Sequence, residues 1–201
     1  MQPTLDPLYQ QALATFDELL VQARDAGDPE PTAMTLATAE GARVSARIVL
    51  LKGVDASGFR FHTNYLSSKG EQLAGHPQAA LCFHWKTLRH GVQVRVEGSV
   101  RKLDVAESDA YFSTRPRGSQ IGAWASAQSQ TLADRAEFDA RIEAMERRFE
   151  DQPVPRPPHW GGFLLAPERI EFWYGAQFRL HERQFYERGA DGTWSRRMLF
   201  P

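Results

Sequence analysis

At residue 33 the hydrophobic period of this 201-residue chain changes, and no other feature restricts its fold as strongly. Upstream, Leu13, Phe16, Leu20 and Ala23 recur at helical spacing. Asp6-Pro7 suits the N-cap and first position of that helix, and Gly27 suits its end. Downstream, apolar residues come in short runs separated by turn residues. Residues 34–39 and 43–51 around Glu40-Gly41 predict a hairpin, and a turn over 55–58 leads into a strand over 59–63. Strands over 79–85 and 92–103 flank an 86–91 loop. Three more are expected over 161–165, 169–174 and 178–187, and a turn at Asp191-Gly192 precedes a last strand ending at Pro201.

Helices are expected between these strands. Ser68 with Glu71, and Asp104 with Glu107, have capping-box spacing, which predicts helices over about 69–74 and from 105 onward. Another should cover 133–149, with Phe138, Ile142, Met145 and Phe149 as a buried packing stripe. The proline-rich 153–158 segment is a stiff linker. Seven or eight short strands without a βαβ rhythm predict a mainly β fold, an antiparallel barrel with helical additions. One domain over 1–201 is expected, with 1–30 as a helix and loop packed on it.

A formal charge of −1 gives no support for a nucleic-acid or membrane partner, so any anion site must be local. Cys82 is the only cysteine, which excludes an intrachain disulfide. No run resembles a signal peptide or is long enough to span a bilayer, so the cytoplasm is the expected compartment. The six histidines are scattered and no metal site is expected; neither G-x-G-x-x-G nor a P-loop occurs.

The stretch from Tyr111 to Ser129 concentrates chemistry. Tyr111 and Arg115 share a helix face, Pro116 stops that helix, and Ser119 is placed to cap a short helix over 120–124. A phenol, a guanidinium, a hydroxyl and a helix N-terminus together suit a phosphate monoester. A solvated helix end with a proline stop fits the same residues. Arg47 and Lys52 bracket four apolar residues and differ in strand parity, so they either serve two anions or reach to water. Thr63, Ser67, Ser68 and Lys69 form a further anion candidate at a helix start. Arg179, His181 and Arg183 alternate, which on a strand puts all three on one face, with Phe178 and Leu180 on the other. Three such groups together call for an anion or carboxylates opposite. Trp173, just upstream, is either a cover for an aromatic ligand or a core residue.

The string Tyr111-Phe-Ser-Thr-Arg115-Pro-Arg-Gly-Ser119-Gln-Ile-Gly-Ala closely resembles the signature of the pyridoxine/pyridoxamine 5′-phosphate oxidases, flavin enzymes that make pyridoxal 5′-phosphate. The resemblance runs from about Pro31 to Pro201. It implies an FMN-binding split barrel of Greek-key type and a homodimer with FMN at the subunit interface. By the same resemblance, FMN contacts fall on Arg47, Ile48, Val49, Leu50, Leu51, Lys52, His62, Thr63, Ser68, Lys69, Gln93, Gln128, Ser129, Trp173 and Arg183. The substrate phosphate falls to Lys52, Tyr111, Arg115 and Ser119, while Arg179, Leu180 and His181 face the substrate ring, with Arg179 and His181 catalytic at the C4′ carbon. The implied reaction oxidises pyridoxine or pyridoxamine 5′-phosphate, with dioxygen as acceptor and hydrogen peroxide as product.

The sequence departs from the family pattern in places. Ser68 stands where many members have arginine, His62 where tyrosine is common, and Glu182 where aspartate is common. Two extra residues precede Gln93, and a basic N-terminal segment seen in some members is missing. The competing readings are a sister flavin oxidase of phenazine type and a non-catalytic flavin- or vitamin-B6-binding protein.

Overall fold

Alternate residues of five strands point into one core, and their opposite faces form an outer sheet surface. The computed structural model describes residues 5–201; the start of the expected single domain, before residue 5, lies outside the described residues. In chain order the elements are α1 (Pro7–Asp25), β1 (Ala33–Glu40), β2 (Arg43–Leu50), β3 (Gly53–Asp55), β4 (Gly58–Asn64), α2 (Ser68–Gly75), β5 (Gln78–Trp85) and β6 (Val92–Lys102). Three helices follow, α3 (Val105–Ser113), α4 (Arg117–Ala125) and α5 (Arg135–Arg148), then β7 (Trp160–Tyr174), a 3-10 turn (Gln177–Arg179), β8 (Glu182–Arg188) and β9 (Trp194–Leu199).

The described strands form one antiparallel sheet in the order β2-β1-β5-β6-β7-β4-β3, with β8 and β9 added alongside β7. Placing β1 beside β5 and β4 beside β7 is a Greek-key order rather than a simple meander. A bond from the Lys52 amide to the Arg60 carbonyl (2.8 Å) ties the end of β2 to β4 and partly closes the barrel. Leu36, Leu81, Phe83, Val94, Val96 and Phe172 fill its interior. α1 plugs one end: Phe16 meets Phe59 and Phe83 edge-on, each with ring centroids 4.9 Å apart. Its start follows the expectation, since Asp6 Oδ1 accepts from the Leu8 amide at 2.8 Å, and Gly27 takes the left-handed conformation (φ 74°) just beyond its end.

The long strand β7 sets the layout of the molecule. Sequence suggested two strands, over 161–165 and 169–174, but β7 runs unbroken through Pro167 because β6 pairs along its whole length and absorbs a register shift at Glu97/Gly98. Its first half pairs with β4 and its second half with β8. A second cluster, Phe112, Ile121, Phe149, Val154 and Trp160, fastens α3, α4 and α5 to the start of β7.

Several local expectations are corrected. The strand expected over 178–187 begins only at Glu182. Phe178 and Arg179 have φ of 56° and 62°, so the chain turns there, and Arg179, His181 and Arg183 do not lie along one strand face. Phe178 and Leu180 make no buried apolar face; they are 88% and 70% exposed. Ser67, not Ser68, caps α2, because its hydroxyl accepts from the Gly70 amide while Ser68 is already helical and exposed. Asp104 stands at the α3 N-cap without a side-chain bond. Ser119 is likewise no cap: α4 starts directly after Pro116, whose carbonyl accepts from Ser119 and Gln120. The α5 stripe is only half-buried apart from Phe149, just beyond the helix, and β3 was not expected.

Candidate functional site

A cavity of about 700 Å³ opens where the end of β2, the end of β4, the start of α2 and the α3–α4 corner meet. Eleven of the residues singled out in the sequence line it: Ile48, Val49, Leu50, Lys52, His62, Thr63, Lys69, Tyr111, Arg115, Ser119 and Gln128. They come from five separate segments, so only the fold unites them. β2 and β4 contribute by strand ends, α2 by its capped N-terminus, and Pro116 turns the chain so that Arg115 and Ser119 face the same space.

The lining holds Lys52, Lys69 and Arg115 but no aspartate or glutamate. Lys69 is buried, and its ammonium donates only to neutral oxygens: Thr63 Oγ1 (3.2 Å), Gln128 Oε1 (3.2 Å) and Ser67 Oγ (3.3 Å). Burial, with Arg47 nearby, pulls its pKa below the usual lysine value. A buried cation without a counter-charge is costly unless an anion completes it. Arg115 repeats the pattern. Its guanidinium lies 4.5 Å over the Trp160 ring and its Nη1 is buried with no partner among the described residues.

His62 stacks on Tyr111 with centroids 3.9 Å apart and on Trp160 at 5.3 Å. Both ring nitrogens are buried without partners among the described residues. Burial first, then Lys52 and Arg115, push its pKa down to about 4, so the ring is neutral. Gly162 makes room for it, since a Cβ there would lie 2.9 Å from His62 Nε2 and 2.3 Å from Leu103 Cδ1.

The remaining expected residues fall elsewhere. Gln93, Trp173 and Arg183 form one cross-strand row on the outer sheet face, at the far end of β7 from Trp160. His181 joins them, its ring 4.5 Å from that of Trp173, and its Nδ1 accepts from the Ala176 amide at 3.1 Å. Arg179 and Leu180 are exposed on the adjoining turn. These groups do not touch the cavity within one chain. Arg47 does not line it either; it is bound to Thr38, Gln72 (3.2 Å) and the Leu36 carbonyl (3.3 Å) behind α2. Leu51 is a core residue, Ser68 is exposed beside Lys69, and Ser129 is exposed in a left-handed conformation (φ 72°) next to Gln128.

Sequence reasoning missed Trp160, Asn64 and Ser126 in the lining. It also missed the Phe200 carbonyl, which accepts from Arg183 Nη1 at 3.0 Å. The Pro157-Pro158-His-Trp160 run was the available signal for Trp160. Asn64, adjoining Thr63, uses its side chain to hold the Ser126 carbonyl and the Leu66 amide and leaves no sequence pattern. Among the described residues there is no cluster of metal-ligating side chains, and no helix is long and apolar enough to cross a membrane.

Comparison with known proteins finds relatives along nearly the whole chain. Residues 21–149 match the family model described as pyridoxamine 5′-phosphate oxidase, and residues 160–201 match the pyridoxine 5′-phosphate oxidase C-terminal dimerisation region. A curated pyridoxine/pyridoxamine 5′-phosphate oxidase from Xanthomonas euvesicatoria is 58% identical over 196 residues, covering 96% of this chain and 98% of the relative. Among solved structures, PhzG from Burkholderia lata, in complex with tetrahydrophenazine-1-carboxylic acid, is 30% identical with a TM-score of 0.88, covering 100% of this chain and 95% of that one. A pyridoxamine 5′-phosphate oxidase-related, FMN-binding protein from Nostoc punctiforme is 18% identical with a TM-score of 0.72, covering 94% and 96%, and shares the fold.

Proposed function

This chain belongs to the pyridoxine/pyridoxamine 5′-phosphate oxidase family, and from that premise we propose that it oxidises pyridoxine and pyridoxamine 5′-phosphates to pyridoxal 5′-phosphate, using FMN and dioxygen in the cytoplasm. The observation that carries the reading is the cavity that gathers Lys52, Lys69 and Arg115 with no carboxylate, leaving Arg115 Nη1 and Lys69 without charged partners. Such a site suits two phosphate esters, one from the cofactor and one from the substrate.

Lys69, Thr63 and Gln128, already bonded together, would hold FMN with the β2 segment over 48–50. Arg115, Ser119, Tyr111 and Lys52 would take the substrate phosphate. FMN, when bound, supplies a two-electron acceptor that dioxygen reoxidises, releasing hydrogen peroxide. Arg115 and Lys52 orient the substrate by its phosphate, and Trp160 and His62 keep water from the base of the site.

The groups that would act on the ring lie on the outer face, so a second copy completes the site. The match over 160–201 to a dimerisation region supports a homodimer in which one cavity meets the Gln93–Trp173–Arg183 row and the Arg179–His181 turn of the other chain, with FMN between them. The bond from the Ala176 amide makes His181 Nδ1 an acceptor, so the ring proton sits on Nε2, which presents a donor to the substrate. Arg179 adds positive charge near the reacting carbon.

The phenazine-type reading rests on the likeness to PhzG, at 30% identity against 58% for the phosphate-ester oxidase, and gives the Tyr111/Arg115/Ser119 group no phosphate to bind. Purified protein should be yellow and should form one hydrogen peroxide for each pyridoxine 5′-phosphate consumed, with pyridoxine itself far poorer. A colourless protein after FMN loading, or the absence of peroxide, would contradict the reading.

A further inference from the structure

Glu171 is the only buried acidic residue among the described residues, at 4% exposure. It sits near the end of β7 on the outer face, one cross-strand row from the Gln93–Trp173–Arg183 row. Its Oε1 accepts from Arg183 Nε at 2.7 Å, and its Oε2 accepts from Arg95 Nη1 at 3.3 Å. Arg183 is held a second time, by the Phe200 carbonyl on Nη1 at 3.0 Å. With Nε and Nη1 both committed, the guanidinium plane is fixed, and Nη2 is left without a partner among the described residues.

Glu171 is itself held in place. Arg95 also pairs with Glu97; Glu97 pairs with Arg169, Arg169 with Glu187, and Glu187 with Arg197. This ladder runs across β6, β7, β8 and β9 and stops at Arg183, the member of the network that lies in the Trp173 row. The other carboxylates of the ladder, Glu97 and Glu187, are half-exposed, whereas Glu171 is enclosed. Burying a carboxylate is costly, and an outer-face arginine needs no such partner to remain charged. The arrangement is accounted for if Arg183 must be aimed and its charge partly offset.

We propose that Glu171 is a positioning residue, which aims the Arg183 guanidinium at the cofactor and sets how much positive charge it presents there. The proposal rests on the FMN reading above, and it separates two properties, orientation and charge, that two variants can dissociate. In Glu171→Gln the amide oxygen still accepts from Arg183 Nε, but the negative charge is gone. FMN should stay bound, and the midpoint potential of the bound flavin should rise, because an uncompensated guanidinium favours the more negative, reduced state. In Glu171→Asp the charge remains but the shorter side chain no longer reaches. FMN affinity should then fall about tenfold, the scale of one charge-assisted bond, while the potential moves less than in the glutamine variant.

Both variants would be loaded with FMN, titrated for affinity, and poised by reductive titration beside the parent, with urea midpoints of the apoproteins recorded. An unchanged potential in Glu171→Gln, or undiminished affinity in Glu171→Asp, overturns the proposal even if stability drops, since that is what a purely structural ion pair would give. A parent that binds no FMN overturns the functional reading itself, and that result is visible before any variant is made.

Discussion

Arg115 and His62 show how a single side chain can be costly to the empty fold and useful to the loaded one. Arg115 keeps a buried Nη1 over Trp160 with no partner among the described residues, so its charge is available to a phosphate. Arg115→Ala should weaken pyridoxine 5′-phosphate by about 1.5–3 kcal/mol while FMN stays bound, measured as apparent affinity beside flavin content. Loss of colour with unchanged substrate affinity would assign Arg115 to the cofactor instead. For His62 the linkage has a definite sign. Its pKa falls from 6.5 to about 4 on folding, so between those values the unfolded chain binds more protons. The stability it permits is complete above about pH 6.5 and is lost as pH falls through 4. After allowance for screening, the loss should be of order 1–2 kcal/mol. Urea midpoints of the apoprotein from pH 7 to pH 4 would show it, and His62→Phe, which keeps the stack on Tyr111, should flatten that part of the slope.

The start of α2 turns the same reasoning into a comparison of adjacent serines. Ser67 is buried, donates to the Asn64 carbonyl at 2.7 Å, accepts from Lys69 Nζ, and caps Gly70. Ser68 is exposed and caps nothing. Ser67→Ala should therefore cost about 1 kcal/mol or more in urea, whereas Ser68→Arg should stay within about 0.5 kcal/mol. The arginine variant adds charge beside Lys69 without sacrificing a cap, so it should tighten FMN by up to about tenfold, less at high salt. Equal FMN affinity at low salt would place Ser68 outside the reach of the cofactor phosphate. The Ser67/Ser68 ambiguity also marks the limit of sequence reading. Hydrophobic period located eight of the nine described strands to within a few residues, although it split β7 in two, because burial of one face dictates alternation. Caps are decided by one hydroxyl geometry, and spacing from Glu71 points as well to Ser68 as to its neighbour. The turn at 178–179 was missed for a related reason: Phe178-Arg-Leu-His181 alternates like a strand, and nothing in it announces two left-handed residues. Most of the cavity was legible because its residues cluster in motifs; Glu171 and the Phe200 carbonyl were not, since one reads as a strand residue and the other is backbone.

At the scale of the molecule, β7 separates the two halves of the proposed site. Trp160 at its start stands under Arg115, while Trp173 near its end stands by His181. A strand rises about 3.3 Å per residue, so the two ends are tens of ångströms apart even with the bulge, too far for one substrate to touch both. The proposed two-fold dimer would resolve this, with the end of one β7 lying near the start of the other across an isologous interface. The consequence can be tested with two impaired proteins, assayed at a substrate concentration well below the weakened affinity of Arg115→Ala. Arg115→Ala removes a cavity residue, and His181→Ala removes a residue of the outer row. In a mixed dimer one site carries both lesions, but the other joins the intact cavity of the His181→Ala chain to the intact row of the Arg115→Ala chain. Random pairing of equal amounts makes half of the dimers mixed, each with one good site of two, so activity should return to about a quarter of the parental value. The chains would be unfolded together, refolded with FMN, and assayed for peroxide formation against each variant refolded alone. No recovery, with mixed dimers confirmed by a mass-tagged chain, would mean that each site is assembled within a single chain and that β7 bends far enough to bring Trp173 to Arg115.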